Sequence, residues 1–204
     1  RQKLATWAPR GRLLDVSLTW NGPSHDGGAL QSWKVKGRFA GLGLAAQGQL
    51  PGFSGVSGTV AGDEKGGTLD LDSRQVVVEM PAIFAEPRLE LEALSARTAW
   101  RAADGRIAVE LKKAEFQNRD AAGELVGSYR TAPDGPGEID LSGKLTRAAG
   151  DAVWRYMPLV VNKNVRDWLH ASLVGGQASE ATLRLKGDLK DFPFRDGRGG
   201  IFEI

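Results

Sequence analysis

Apolar and polar residues alternate with a period of two along most of this chain. The alternation is clearest over residues 14–20, 69–72, 76–80, 89–92 and 107–111. Because successive side chains of a β-strand point to opposite sides of a sheet, this pattern predicts strands with one apolar and one polar face. The joining sequences DEKGG, ADG and PDGPG are short and rich in turn-forming residues, so neighbouring strands are expected to be antiparallel.

Glycine occurs 27 times and repeats one pattern inside the predicted strands. The order apolar, any, glycine, any, apolar is found at residues 35–39, 56–60, 125–129, 141–145 and 185–189. Each glycine then lies on the same face as its two apolar neighbours. Such glycines indicate either tight sheet curvature over a filled core or space kept free for another molecule. The predicted fold is mostly β: a long curved antiparallel meander sheet that forms an open apolar groove.

One segment interrupts the strands with helical periodicity. A helix is predicted over residues 163–174, and a shorter one over about 149–157 must end before Pro158. The apolar stripe of the longer helix consists of Val165, Trp168, Leu169 and Leu173. We expect the pair to form a helical crossover or plug, with this stripe covering the groove.

Internal sequence matches predict a repeated organisation. Residues 4–22 align without gaps on 169–187, and residues 35–44 align on 185–194. The second match keeps Phe192 and Phe194 apolar while the charges around them change, which predicts an apolar edge strand there. The predicted divisions are the end of a preceding helix (1–10), a curved antiparallel β repeat (11–147), the helical crossover (148–176) and the first strands of the next, truncated repeat (177–204).

Residues that carry common chemistries are absent or unsuitably spaced. The chain has no cysteine, and neither His25 nor His170 has a partner at a metal-binding or general-base spacing. Asp70 and Asp72 have the spacing of some metal motifs, but in a strand both would face solvent opposite leucines. No catalytic residue, metal or cofactor is predicted, and the protein is not expected to be an enzyme.

Charge and aromatic content narrow the ligand classes further. The 27 Lys and Arg residues interleave with 25 Asp and Glu residues, whereas nucleic-acid-binding proteins usually gather positive charge on one face. Nucleic acid is therefore not an expected partner. The six tryptophans could stack on sugars, but their scatter over strands and helices resembles core filling.

Two stretches resemble the YhdP-like branch of the AsmA-like (repeating β-groove) periplasmic proteins. Residues 154–204 contain a proline-ended helix, a W-L…L-V-G-G helix terminus and a G-D-L…F-P-F strand in the family's order. PGFSGVSGTVAGDEKGGTLDLDS (51–73) is similar to the family's glycine-rich hairpin. The resemblance implies an internal fragment of a large Gram-negative protein, located in the periplasm and anchored in the inner membrane by an N-terminal helix outside this sequence.

The resemblance also implies a function without an active site. The chain would be a segment of a periplasm-spanning lipid-transfer bridge that shields phospholipid acyl chains in a hydrophobic groove between the inner and outer membranes. Its partners would be those acyl chains, the inner membrane and other envelope proteins. The predicted lining is Val35, Gly37, Phe39, Val56, Gly58, Val60, Leu69, Leu71, Val78, Leu141, Gly143, Leu183, Leu185 and Gly187. The alternative is a non-catalytic structural or scaffolding β protein of the cell envelope without lipid cargo.

Overall fold

The computed structural model describes residues 7–21, 32–48, 50–194 and 199–204 of the chain. It contains a single open antiparallel sheet of eleven strands. They are β1 (Arg10–Asn21), β2 (Ser32–Leu44), β3 (Gly52–Asp63), β4 (Gly66–Glu79), β5 (Arg88–Ala103), β6 (Arg106–Gln117), β7 (Ala121–Arg130), β8 (Glu138–Ala149), β9 (Gln177–Ala178), β10 (Ala181–Asp188) and β11 (Gly200–Glu203). The predicted mostly-β, antiparallel meander is confirmed.

The sheet is built almost entirely from neighbours in the chain. Strands β1 to β8 follow one another in order, and β10 and β11 continue beyond β8. Strand β9 pairs with the other end of β8, at Ala148 and Ala149. The sheet therefore continues across the helical segment from β8 to β10, and the division of the chain into repeats stays a prediction.

Short turns join the strands and form two opposite rims of the sheet. At the first rim, the Asp63 carboxylate accepts hydrogen bonds from the backbone N–H groups of Lys65 (2.8 Å) and Gly66 (3.1 Å). At the opposite rim, the Asn118 side-chain oxygen accepts from Asp120 (3.0 Å) and Ala121 (2.7 Å). We call the rim with turns 63–66 and 103–106 and loop 131–137 the hairpin rim. The rim with loop 80–87 and turn 118–120 is the helical rim.

The predicted helix pair is present. Its first member is a 3₁₀ helix, Gly150–Tyr156, and its second is an α-helix, α1, Lys163–Ser172. The side chain of Asn162 caps α1 by accepting a hydrogen bond from the N–H of Asn164 at 2.8 Å. The two helices contact each other through Trp154 and His170, whose ring centroids are 4.2 Å apart.

A polar cluster ties the 3₁₀ helix to the helical rim. The Tyr156 hydroxyl accepts a hydrogen bond from Asn118 Nδ2 at 2.8 Å and donates to Asp120 Oδ2 at 3.1 Å. Arg155 forms ion pairs with Asp120 and Glu86, both at 3.3 Å. Burial raises the pKa of Tyr156, so its hydroxyl stays protonated and able to donate at neutral pH. The helical segment is thus fixed along this rim.

Two local predictions are wrong. Leu14 was expected on the same face as Val16, but it pairs with exposed Arg38 on the opposite face, because Asp15 has a positive φ of 51° and interrupts the alternation. Residues 189–194 were expected to form an edge strand, but they form a short 3₁₀ helix followed by a hydrogen-bonded turn. There Phe194 is buried and stacks edge-on against Phe192.

Candidate functional site

Cross-strand pairing aligns small and apolar residues on one face of the sheet, from β2 to β11. Paired residues of antiparallel strands point to the same side of a sheet. Three rows result, which we call the hairpin-side, middle and helix-side rows after the rim each lies nearest. The hairpin-side row is Val35, Gly62, Gly67, Trp100, Val109, Tyr129, Ile139, Gly187 and Gly200. The middle row is Gly37, Val60, Leu69, Thr98, Leu111, Gly127, Leu141, Leu185 and Phe202. The helix-side row is Phe39, Gly58, Leu71, Ala96, Ala114, Leu125, Gly143 and Leu183.

These three rows, called the apolar face below, contain all the predicted lining residues except Val56 and Val78. Val56 pairs with Leu42 one step beyond the helix-side row. Val78 pairs with Phe53 and Leu89, and it lies past Gln75, whose positive φ of 54° breaks the alternation of β4. The pairing therefore places Val78 outside the three rows.

In the described part of the chain, the apolar face carries no second layer over β2 to β8, whereas Phe192 and Phe194 pack on it over β10 and β11. Each long strand packs mainly against its neighbours in the sheet, while α1 packs against the 3₁₀ helix. The Val, Leu and Ile side chains of the rows are half-buried, whereas Phe39, Ala96 and Ala114 are buried. In a two-layer domain such a face would be covered by helices or by another sheet. Here it is left partly open to solvent.

The glycines of this face allow close approach of the neighbouring strand. A Cβ added at Gly58 would collide with the carbonyl of Asp70 and lie 3.1 Å from the Cα of Leu71. At Gly143 it would lie 2.6 Å from Cδ2 of Leu125. Each glycine thus lets a neighbouring backbone or an apolar side chain occupy the space of its own missing side chain. This close approach is what tight curvature requires.

The tryptophans do not fill a core, so that interpretation is wrong. None of the six is buried, and Trp20 and Trp168 are 56% and 63% exposed. Trp100 lies across two glycines, because a Cβ on either Gly62 or Gly67 would come within 2.5 Å of its ring. Its indole therefore rests on the apolar face and covers backbone there.

The predicted lining did not include the members of the rows that come from β5, β6 and β7. These are Ala96, Thr98, Trp100, Val109, Leu111, Ala114, Leu125, Gly127 and Tyr129. A register shift after Leu111 moves the face from Leu111 to Ala114, past Lys112 and Lys113. The alternation of Val109 and Leu111 was visible in the sequence, but the continuation across this bulge was not.

Two residues of the predicted helix stripe are exposed to solvent, and the other two are half-buried. Val165 and Trp168 are 47% and 63% exposed, whereas Leu169 and Leu173 are half-buried. No residue of α1 is fully buried. That this helix covers the apolar face stays a prediction.

Opposite the three rows, the other face of the sheet is polar, and closer to the helical rim it carries Val76, Val78, Leu89 and Leu91. Asp70 and Asp72 are both exposed on it, as predicted. It contains a shallow pocket of about 800 Å³ between β5 and β10, with an Arg130–Glu138 ion pair of 2.6 Å in its lining. Opposite charges side by side largely neutralise this surface.

The described residues contain neither a metal-binding cluster nor a membrane-spanning helix. No group of three His, Asp or Glu side chains among them could hold a metal ion. His170 packs on Trp154, and His25 lies outside the described residues. Within the same ranges, the helices are too short and too polar to cross a membrane.

The fold and its exposed face define a class: a single-layer antiparallel β protein with one continuous apolar face. The whole chain, residues 1–204, matches the YhdP protein family, and it belongs to that family. A similar protein is the "Intermembrane phospholipid transporter YhdP" of Escherichia coli (strain K12), which is 28% identical over 159 residues. The alignment covers 76% of this chain but 12% of that relative. No solved structure matches the chain.

Proposed function

We propose that this chain is a segment of a lipid-transfer bridge, and that its apolar face shields the acyl chains of phospholipids. The observation that carries the proposal is the set of three rows, which continue from β2 to β10 and have no covering layer over β2 to β8. The similarity to the E. coli protein, which is named as an intermembrane phospholipid transporter, supports the choice of cargo.

The physical need for such a face follows from the cost of exposing lipid to water. A diacyl phospholipid has roughly 30 methylenes worth about 0.8 kcal/mol each, so full exposure costs on the order of 24 kcal/mol. A partly open apolar face lowers that cost along its whole length, while the headgroup stays in water. Continuity matters more than the depth of any one pocket, because a single polar gap would restore part of the barrier.

The same proposal gives the chain a location. A segment of an intermembrane bridge would lie in the periplasm, and the full-length protein would be anchored in the inner membrane through a helix outside this sequence. The predicted lining residues that lie in the three rows, with the additional row members from β5 to β7, would contact the acyl chains. The stripe of α1 would cover the helix-side edge of the groove.

Site-specific photo-crosslinking in the full-length protein tests the cargo. A photoreactive amino acid at Leu69 or Leu141 should form phospholipid adducts, detected by mass spectrometry, because both side chains lie in the middle row. Thr68 and Thr182 are matched controls, since each is an exposed strand residue on the opposite face. Equal adducts at all four positions, or adducts at none, would favour the structural or scaffolding alternative without cargo.

Substitution of a lining residue tests transport itself. An aspartate at Val60 should slow phospholipid movement between the two membranes roughly 100-fold, because a buried carboxylate adds about 3 kcal/mol to the barrier. Thr59→Asp, on the polar face of the same strand, is the control. Equal transport in Val60→Asp and Thr59→Asp would refute the lining.

A further inference from the structure

The tryptophan and tyrosine residues of the strands all lie at one end of the apolar face. Trp20 pairs with Trp33 next to the hairpin rim, and Trp100 and Tyr129 belong to the hairpin-side row. The strands, all of them within the described ranges, contain no other Trp or Tyr. The middle and helix-side rows consist of aliphatic residues, glycine, threonine and phenylalanine.

This segregation has a known physical meaning at lipid–water boundaries. Trp and Tyr combine an apolar ring with a polar N–H or O–H group, so they favour positions where one end is apolar and the other wet. Trp33, Trp100 and Tyr129 are half-buried, and Trp20 is 56% exposed. The Tyr129 hydroxyl points to the rim, where it donates a hydrogen bond to the carbonyl of Pro136 at 2.7 Å.

The hairpin rim also carries free charges of both signs. Lys65 and Arg106 are exposed cations at its turns, Arg101 is an exposed cation on the opposite face near the end of β5, and Asp104 and Asp134 are exposed carboxylates. Within the described part of the chain, none of the five forms an ion pair. They are available to pair with a phosphate or an ammonium group.

The opposite rim is occupied by protein. The N–H of Leu159 donates to the carbonyl of Ile83 at 2.8 Å, and Phe84 forms a β-bridge with Pro158. The Arg155 and Tyr156 contacts described above join the same helical segment to turn 118–120 and to Glu86. Arg155, Lys163 and Asp167 of this segment are thus already engaged in ion pairs. A headgroup at this rim would have to displace packed backbone.

From these observations we infer that a bound phospholipid lies with its headgroup at the hairpin rim and its acyl chains over the middle and helix-side rows. This orientation rests on the proposed function, since it assumes a phospholipid on this face. It adds the direction in which the lipid lies across the strands, from the hairpin rim towards the helical rim. The aromatic residues mark the level of the glycerol and ester groups, and the free charges at the turns meet the phosphate and amine.

Two photoreactive phosphatidylethanolamine probes distinguish the two ends of the lipid in the purified full-length protein. One probe carries a diazirine in the headgroup and the other carries it at the end of an acyl chain; labelled peptides are then identified by mass spectrometry. The headgroup probe should label 63–66, 103–106 and 131–137 at least about tenfold more than 80–87 and 118–120, a preference of about 1.4 kcal/mol. The acyl-chain probe should label residues of the middle and helix-side rows.

The outcomes separate the two proposals. Headgroup labelling at the helical rim, or equally at both rims, together with acyl-chain labelling of the rows would overturn the orientation and leave the lipid-bridge function standing. Labelling of this segment by neither probe would overturn both.

Two substitutions give an independent check. Trp100→Leu keeps an apolar side chain but removes the indole N–H, so headgroup labelling at the hairpin rim should fall while acyl-chain labelling persists. Lys65→Gln, in an exposed turn, should lower headgroup labelling at 63–66 without affecting folding. Lys144→Gln, at an exposed strand position on the opposite face, is the matched control for Lys65→Gln and should change neither pattern. If Trp100→Leu and Lys65→Gln leave headgroup labelling unchanged while acyl-chain labelling persists, the orientation is wrong.

Discussion

Replacing Gly58 by alanine tests whether the glycines of the apolar face serve close strand approach. The added Cβ would collide with the carbonyl oxygen of Asp70 and approach the Cα of Leu71 at 3.1 Å. Both atoms belong to the backbone of β4, so neither can move away as the end of a flexible side chain could. Strands β3 and β4 would have to separate locally, next to Phe39, which pairs with Gly58 across β2 and β3.

The expected loss of stability follows from two opposing effects. Overpacking of this kind destabilises a protein by about 1–3 kcal/mol, and a clash with backbone belongs in the upper part of that range. Alanine restricts the unfolded chain more than glycine does, and this stabilises the folded state by about 0.4–1 kcal/mol. The net loss should be about 2 kcal/mol, which lowers the melting temperature of a chain of this size by about 4–8 °C.

Thermal and urea denaturation followed by circular dichroism measure this difference. Gly175→Ala is the matched control, because a Cβ there meets no atom within 4 Å, and its stability should equal or slightly exceed that of the wild type. If Gly58→Ala melts like Gly175→Ala, the close approach of β3 and β4 is wrong. Space left open above the glycine would then be the better explanation of its presence.

Two further predictions concern polar contacts at the ends of the sheet. Tyr156→Phe should destabilise the chain by about 1–3 kcal/mol in urea denaturation, because the buried amide of Asn118 loses its hydrogen-bond acceptor; an unchanged midpoint would contradict this. The neighbouring Arg184 and Lys186 lower the pKa of the Asp140 carboxyl in the folded chain. The ionised carboxylate therefore stabilises the fold above its unfolded pKa of about 3.9. This stabilisation is lost as the pH falls through the lower pKa of the folded state. Asp140→Asn should therefore lose less stability than the wild type between pH 6 and pH 3, and parallel pH profiles would show that the ion pairs contribute nothing.

Much of the architecture could be predicted because its causes are local. The alternation in Leu69–Asp72 and the turn sequence around Asp104 and Gly105 specify a strand and a hairpin from neighbouring residues alone. The glycine pattern correctly placed Gly37 and Gly143 on the apolar face, since the period of two requires it. The helix pair followed from the apolar stripe and from Pro158.

The errors occur where the backbone departs from regular geometry. Asp15 and Gln75 have positive φ values, and Lys112 lies in a bulge, so each shifts which later residues face the apolar side. The bulge at Lys112 hid the continuation of the face from Leu111 to Ala114. A non-glycine residue with positive φ is held there by its partner strands, and its own side chain gives little signal.

The sequence by itself determined the strands, their turns, the helical interruption and the presence of one apolar face, because alternation, turn chemistry and helical periodicity act over a few residues. Tertiary structure decided the rows that cross the sheet, the rim that the helical segment occupies, and the gathering of Trp20, Trp33, Trp100 and Tyr129 at the opposite rim. These features depend on the register between strands far apart in the chain. Register is fixed only when backbone hydrogen bonds and side-chain packing are satisfied together across the whole sheet.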